Sequence, residues 1–107
     1  HHGLKPANFL DAPGGTTKEA MLHSLQIALK KLDIKALFIN MFGGMTETDA
    51  VASAIIAFKK KYKPKIPFVL RIYGTHWEQA HKLLQKEGIP AYRDIDDAIK
   101  RLKEIIQ

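Results

Sequence analysis

Short apolar runs alternate with longer segments of helical period along the whole chain, and this alternation limits the fold more than any other feature. Ala7 to Ala12 (ANFLDA), Lys35 to Met41 (KALFINM) and Pro67 to Ile72 (PFVLRI) are mostly apolar and bounded by Pro, Gly or Asp. That pattern suits strands buried on both faces. A fourth short strand is expected over Pro90 to Tyr92. The intervening segments place Met21, Leu25, Ala28 and Leu32 on one helix face, then Val51, Ile55, Phe58 and Tyr62, then Trp77, Ala80 and Leu84. Ile95, Ala98, Leu102 and Ile105 give a closing helix the same kind of face.

The helix starts repeat one chemical device. Thr16-x-x-Glu19, Thr46-x-x-Asp49 and Thr75-x-x-Glu78 each set a hydroxyl three residues before a carboxylate, and Asp94-x-x-Asp97 is a relative of that pattern. Each such cap is worth about 1 kcal/mol. Alternating βα units need right-handed crossovers, hence a parallel sheet with helices on both faces. The expected architecture is a small flavodoxin-like three-layer αβα sandwich with strand order 2-1-3-4, formed by residues 1–107 as one domain.

Composition removes several classes of function. With 107 residues, 46% apolar and 26% charged, the chain has enough apolar residues for one packed core and does not read as disordered. It has no cysteine, so disulfides, thiolate metal sites and cysteine nucleophiles are excluded. No apolar run approaches the roughly 18 residues of a membrane span, and no signal-peptide pattern is visible. A soluble protein of the cytoplasm or an organellar matrix is expected. No histidines and carboxylates stand at metal-ligand spacing.

The net charge of +6 and pI near 9.6 raise a nucleic-acid reading. The cations cluster as Lys59, Lys60, Lys61, Lys63 and Lys65 after an apolar helix, where they complement the helix dipole, and no RNA- or DNA-reading motif accompanies them.

In such a sheet the strand-to-helix connections share one edge: Pro13 to Thr17 (PGGTT), Met41 to Thr46 (MFGGMT) and Tyr73 to His76 (YGTH). Ligands bind at the carboxyl ends of the strands, near a reversal of strand order. Glycine there permits close backbone approach, and the helix N-terminus that follows offers unpaired N–H groups to an anion. A phosphate or carboxylate ligand is the chemistry this edge suits.

The order of blocks adds a resemblance. KPANFLDAPGGTTKEA, NMFGGMTETDAVASAI and PFVLRIYGT, followed by a helix, a strand and a helix, resemble the C-terminal domain of the succinyl-CoA synthetase β subunit. That family reads roughly G-x-P-A-N-F-L-D-x-G-G-G-A-T, N-I-F-G-G-I-x-R-C-D and V-V-R-L-x-G-T. The likeness covers nearly the whole chain, and the PANFLD and N-x-FGG blocks are specific. Related nucleoside-diphosphate-forming acyl-CoA ligases share the module.

The resemblance implies a division of labour. Acid, CoA and ATP or GTP with Mg give an acyl-CoA through an acyl phosphate and a phosphohistidine. The phosphohistidine and CoA site lie on an α-type partner, and the nucleotide in an ATP-grasp domain of the β chain. Neither part is expected within these residues, so the isolated module is expected to bind no cofactor and to be inactive. Its implied contribution is the helix start after FGG, facing the phosphohistidine, with backbone contacts to the carboxylic acid. Carried over, those positions are Gly43, Gly44, Met45 and Thr46, with Asn40 entering the loop; Gly14, Gly15 and Thr16 form a second anion loop. Met45, Thr46 and Glu47 stand where the family has isoleucine, a variable residue and arginine, so a carboxylate replaces a cation. Pro13-Gly14-Gly15-Thr16-Thr17 replaces the usual G-G-G-A-T and stiffens that loop's entry.

Among other residues, His76 on the ligand edge reads either as a proton donor or phosphoryl acceptor or as the first residue of a capped helix, whereas His23 and His81 read as partly exposed helix residues. Asp11 ends the first strand as an acceptor aspartate does in response-regulator receivers, but the accompanying acidic pair and late lysine are missing. Besides the ligase module, a free-standing non-catalytic anion-binding or assembly module of the same fold remains open.

Overall fold

The computed structural model describes residues 7–12, 16–30 and 34–106, with residues 43–46 described by their backbone. Gly14 and Gly15 of the first glycine loop, and Leu32 of the first helix face, lie outside these residues. Among the described residues the order is β1 (Ala7–Ala12), α1 (Lys18–Ala28), β2 (Ala36–Glu47), α2 (Thr48–Tyr62), β3 (Phe68–Thr75), α3 (Trp77–Lys86), β4 (Ala91–Tyr92) and α4 (Ile95–Ile106).

The strands form one parallel sheet in the order β1-β2-β3-β4. This corrects the expected order 2-1-3-4. The uninterrupted apolar run Ala36 to Ile39 is fully buried and takes an interior place, while β1, which carries Asn8 and Asp11, is only half-buried and takes the edge. A strand with polar side chains on it is less costly where one side meets water.

The corrected order also decides where the helices lie. When every crossover is right-handed and each steps the same way across the sheet, the crossover helices fall on one face. Accordingly Met21, Leu25 and Ala28 of α1, Val51, Ile55 and Phe58 of α2, and Ala80 and Leu84 of α3 share one core with Leu37, Ile39, Met41, Phe68, Leu70 and Ile72 of the sheet. α4 has no strand to reach and covers the other face. Its Ala98 and Leu102 pack on Ala36, Phe38 and Val69, with the Phe9 ring tilted against Phe38 at 5.2 Å between centres. The sandwich is therefore three-layered and flavodoxin-like, with three helices against one. Tyr62 leaves its expected apolar face; its ring tilts against Phe58 at 4.7 Å and stays about half exposed.

Helix starts differ from the capping pattern in register. α1 is capped by Thr17, not Thr16: its Oγ1 accepts the Ala20 N–H at 3.0 Å. α2 starts at Thr48, with Glu47 rather than Thr46 as the preceding residue and no side-chain cap bond. Thr75 stays in β3, and α3 is preceded by His76 in the left-handed region at φ 62°. Asp94 directly precedes α4 and its carbonyl accepts the Ala98 N–H at 3.2 Å.

Candidate functional site

Alternation along the strands sorts side chains between the faces, so every second residue of β1, β2 and β3 points toward the α4 side. Beyond the part that α4 covers, that face carries a polar row at one register level, Asp11 of β1 beside Asn40 of β2 beside Arg71 of β3. Asn40 bonds to both of the others. Asn40 Nδ2 donates to Asp11 Oδ1 at 3.4 Å, and Arg71 Nη1 donates to Asn40 Oδ1 at 3.3 Å. Arg71 Nε donates to the Arg93 carbonyl at 2.8 Å, fixing the guanidinium from the β4 side.

The Asn40 amide thus spends its oxygen and one N–H direction on neighbours within the sheet. Its place in the candidate site is that of a spacer between a carboxylate and a guanidinium.

One level further along, Phe42 and Tyr73 pair at 6.0 Å between ring centres and remain 52% and 40% exposed. The Arg71 guanidinium lies 4.4 Å over the Phe42 ring, and Arg93 stands about 6 Å from both Tyr73 and Trp77. Aromatic rings beside arginines are the composition of binding surfaces, where rigid apolar area and desolvated cations give most energy.

The glycine segment is not a turn. β2 runs on through Gly43 to Glu47, with Gly43 paired to Gly74 and Glu47 to Thr75, so a register shift falls between them. The extra residues on β2 bulge against β3 and carry the strand outward before the helix begins. The unpaired N–H groups of α2 accordingly belong to Thr48, Asp49 and Ala50, the first residues of a 15-residue helix, and not to Gly43 through Thr46.

What fixes that helix end is side-chain chemistry. Thr48 is the one buried polar side chain among those described, and its Oγ1 donates to the Thr75 carbonyl at 2.8 Å. The bond ties the start of α2 to the end of β3. Next to it, His76 Nδ1 lies 3.3 Å from Asp49 Oδ1, joining the starts of α2 and α3. The Asp49 and Glu47 carboxylates stabilise the N-terminus of α2 and oppose a bound anion, and the His76 contact offsets the first of them.

His81 is half-buried with Nε2 2.9 Å from the Ile72 carbonyl, an acceptor that assigns the proton to Nε2, and Trp77 meets its ring edge-on at 5.2 Å. His23 is exposed on α1. Among the described residues no group of three or more His, Asp or Glu could hold a metal ion, and no helix is long and apolar enough to cross a membrane. A groove of about 700 Å³ lies at the other end of the sheet between Leu29, Ile34, Phe58 and Ile66.

Sequence reasoning singled out Asn40, the glycines and His76, and the structure sets Asn40 and His76 on the predicted edge. It overlooked Arg71 and the pairing of Asp49 with His76. A signal for Arg71 was present: a lone cation inside the apolar run PFVLRI is rarely buried without partners.

A parallel α/β sheet whose three strand ends share one polar row, beside a helix start fastened by Thr48, defines a flavodoxin-like three-layer chain with its candidate site at the carboxyl ends of the strands. The comparisons supply the family. The family model described as CoA-ligase matches residues 1–105. The chain is 36% identical over 107 residues to the succinate–CoA ligase [ADP-forming] subunit beta of Desulfurococcus amylolyticus, covering 100% of this chain and 28% of that protein. It is 38% identical over 109 residues to the subunit of the same name from Bdellovibrio bacteriovorus, covering 99% and 28%. For that of Sorangium cellulosum the identity is 42% over 89 residues, covering 83% and 22%. The chain belongs to the CoA-ligase family, and it spans about a quarter of the length of these curated relatives.

Proposed function

We propose that this chain is the ligase module of an acyl-CoA synthetase of the succinate–CoA ligase β type. In this reading residues 1–107 form one domain that supplies one wall of the active site. An ATP-grasp part of the same β chain and an α-type, CoA-binding partner complete it. The observation that carries the reading is the row Asp11, Asn40 and Arg71. One residue from each of the three blocks that match the family meets the others at one register level.

The proposed chemistry follows from the helix end. A phosphoryl group carried on the partner's histidine meets the unpaired N–H groups of α2, which stabilise its charge without side-chain reorganisation. The extended backbone from Gly43 to Thr46, entered from Asn40, lies against the carboxylic acid. Gly14, Gly15 and Thr16 serve as a second anion contact. Exposed Phe42 and Tyr73, flanked by Arg71 and Arg93, support a surface that another domain or subunit covers.

The test is reconstitution. The 107 residues alone are expected to form no thioester from succinate, CoA and ATP, and to do so once joined to an ATP-grasp domain and mixed with an α-type chain. Thioester formation by the isolated chain would overturn this division of labour. Glu47→Arg puts a cation on the residue that precedes α2; an attraction of about 1 kcal/mol there tightens phosphate binding about fivefold. An unchanged phosphate affinity, followed by amide shifts of residues 43 to 50, would remove the α2 start from the site.

A further inference from the structure

We infer that His76 is a phosphoryl-accepting histidine, assembled with Asp49 into an Asp–His pair between the starts of α2 and α3. This goes beyond the reading above, in which the reactive histidine belongs to a partner chain. The pairing leaves the two ring nitrogens with different tasks. Nδ1 lies 3.3 Å from Asp49 Oδ1, so it holds the proton, and Nε2 keeps a free lone pair.

The backbone supports the same assignment. His76 occupies the left-handed region at φ 62° and ψ 28°, a conformation uncommon for a residue with a Cβ, and its side chain makes no capping bond to α3. Strained backbone persists where the surroundings hold it, and the Thr48 to Thr75 bond does so immediately before His76. The side chain is 47% exposed, so a small phosphoryl donor can reach it. The unpaired N–H groups at the start of α2 lie nearby, and the Asp49 carboxylate, which by itself opposes an anion, is engaged by Nδ1. His81 has the opposite tautomer, since its Nε2 donates to the Ile72 carbonyl and the lone pair lies on Nδ1 of a half-buried ring.

The step balances without another reactant. The Nε2 lone pair attacks phosphorus of an acyl phosphate, the bond between phosphorus and the acyl oxygen breaks, and the carboxylate leaves with the electron pair. The Nδ1 proton stays in the bond to Asp49, which offsets the positive charge on the phosphorylated ring. With phosphoramidate as donor the phosphorus–nitrogen bond breaks and ammonia leaves.

The experiment treats the full chain with phosphoramidate and, separately, acetyl phosphate, and follows it by ³¹P NMR and peptide mass spectrometry at neutral pH. His76 is expected to gain an acid-labile phosphate on Nε2 at least about tenfold faster than His23 in the same molecules. His76→Gln removes that signal, and Asp49→Asn slows His76 several-fold while the His23 rate and amide spectrum stay unchanged. Equal rates at His76 and His23, phosphate on Nδ1, or indifference to Asp49→Asn would overturn the inference. No partner chain is involved, so failure here leaves the ligase-module reading standing, and failure of reconstitution leaves a phosphorylated His76 standing.

Discussion

The two faces of the sheet are built from the same strands yet solve different problems. The face under α1, α2 and α3 is an unbroken apolar layer in which Leu37, Ile39, Leu70, Ile72, Ile55 and Leu84 are fully buried. The face under α4 is apolar only where that helix lies, then becomes the polar row Asp11, Asn40 and Arg71, then the exposed pair Phe42 and Tyr73. The first face holds the fold together. The second shows that a strand can be packed under a helix at its start and open to solvent at its end, since Phe38 and Phe42 differ only by two pleats of β2.

The comparison breaks first under core truncation. Leu70→Ala, on the three-helix face, is expected to cost about 2 to 5 kcal/mol, because no neighbour can fill the cavity fully. Phe42→Ser, on the same sheet but exposed, should stay within about 0.5 kcal/mol. Urea denaturation of both variants checks the contrast. A loss of more than about 2 kcal/mol for Phe42→Ser would mean that the open face is part of the core after all.

Thr48→Val comes next in size. It removes the donor to a part-buried carbonyl while keeping the side-chain volume, so a loss of about 1 to 3 kcal/mol is expected. Thr48→Ser keeps the hydroxyl and should lose markedly less. Equal losses for the two would show that the methyl group, not the bond to Thr75, fastens α2 to β3.

The polar row gives a smaller and more specific effect. A double-mutant cycle on Asn40→Ala and Arg71→Met should return a coupling of about 0.5 to 1.5 kcal/mol, as for residues sharing one hydrogen-bond network. A coupling indistinguishable from zero would reduce the row to three independent surface residues.

What the sequence made legible follows the range of the interactions involved. Strand and helix identities rest on local periodicity, so ANFLDA, PFVLRI and the faces through Leu25, Ile55, Leu84 and Leu102 were readable. Strand order is a non-local choice, and right-handed crossovers permit both 2-1-3-4 and the observed 1-2-3-4. The cue was that β1 alone among the long strands carries Asp and Asn, which suits an edge. Gly43-Gly44 read as a strand-to-helix connection because glycine there permits close backbone approach, yet β2 continues through the pairing of Gly43 with Gly74 to Glu47. The caps slipped by a residue for a similar reason: Thr16 and Thr17 offer the same hydroxyl, and only backbone geometry selects Thr17. The candidate site was half visible, as Asn40 and His76 stand in recognisable blocks, whereas their partners Arg71 and Asp49 become partners only through register and helix placement.

The smallest expected effect sharpens the account of the better-packed face, because even that face holds a charge at its border. The Lys59 ammonium sits 4.8 Å over the Phe68 ring, and partial burial lowers its pKa from the ordinary 10.5. A lysine whose folded pKa lies below its unfolded value binds fewer protons folded than unfolded across that interval, so stability rises with pH there. At neutral pH the lysine is charged in both states and the full penalty of burying the charge is present. Above about 10.5 it is neutral in both states and the penalty is gone. Lys59→Met keeps the apolar stem over Phe68 and removes the charge, so it is expected to match or slightly exceed the parent in stability at neutral pH. That advantage should shrink as the pH approaches 10.5, when both proteins are compared by urea denaturation at a series of pH values. An advantage that grows with pH would reverse the sign of the burial effect and make the contact with Phe68, together with the helix dipole of α2, the dominant interaction of this lysine.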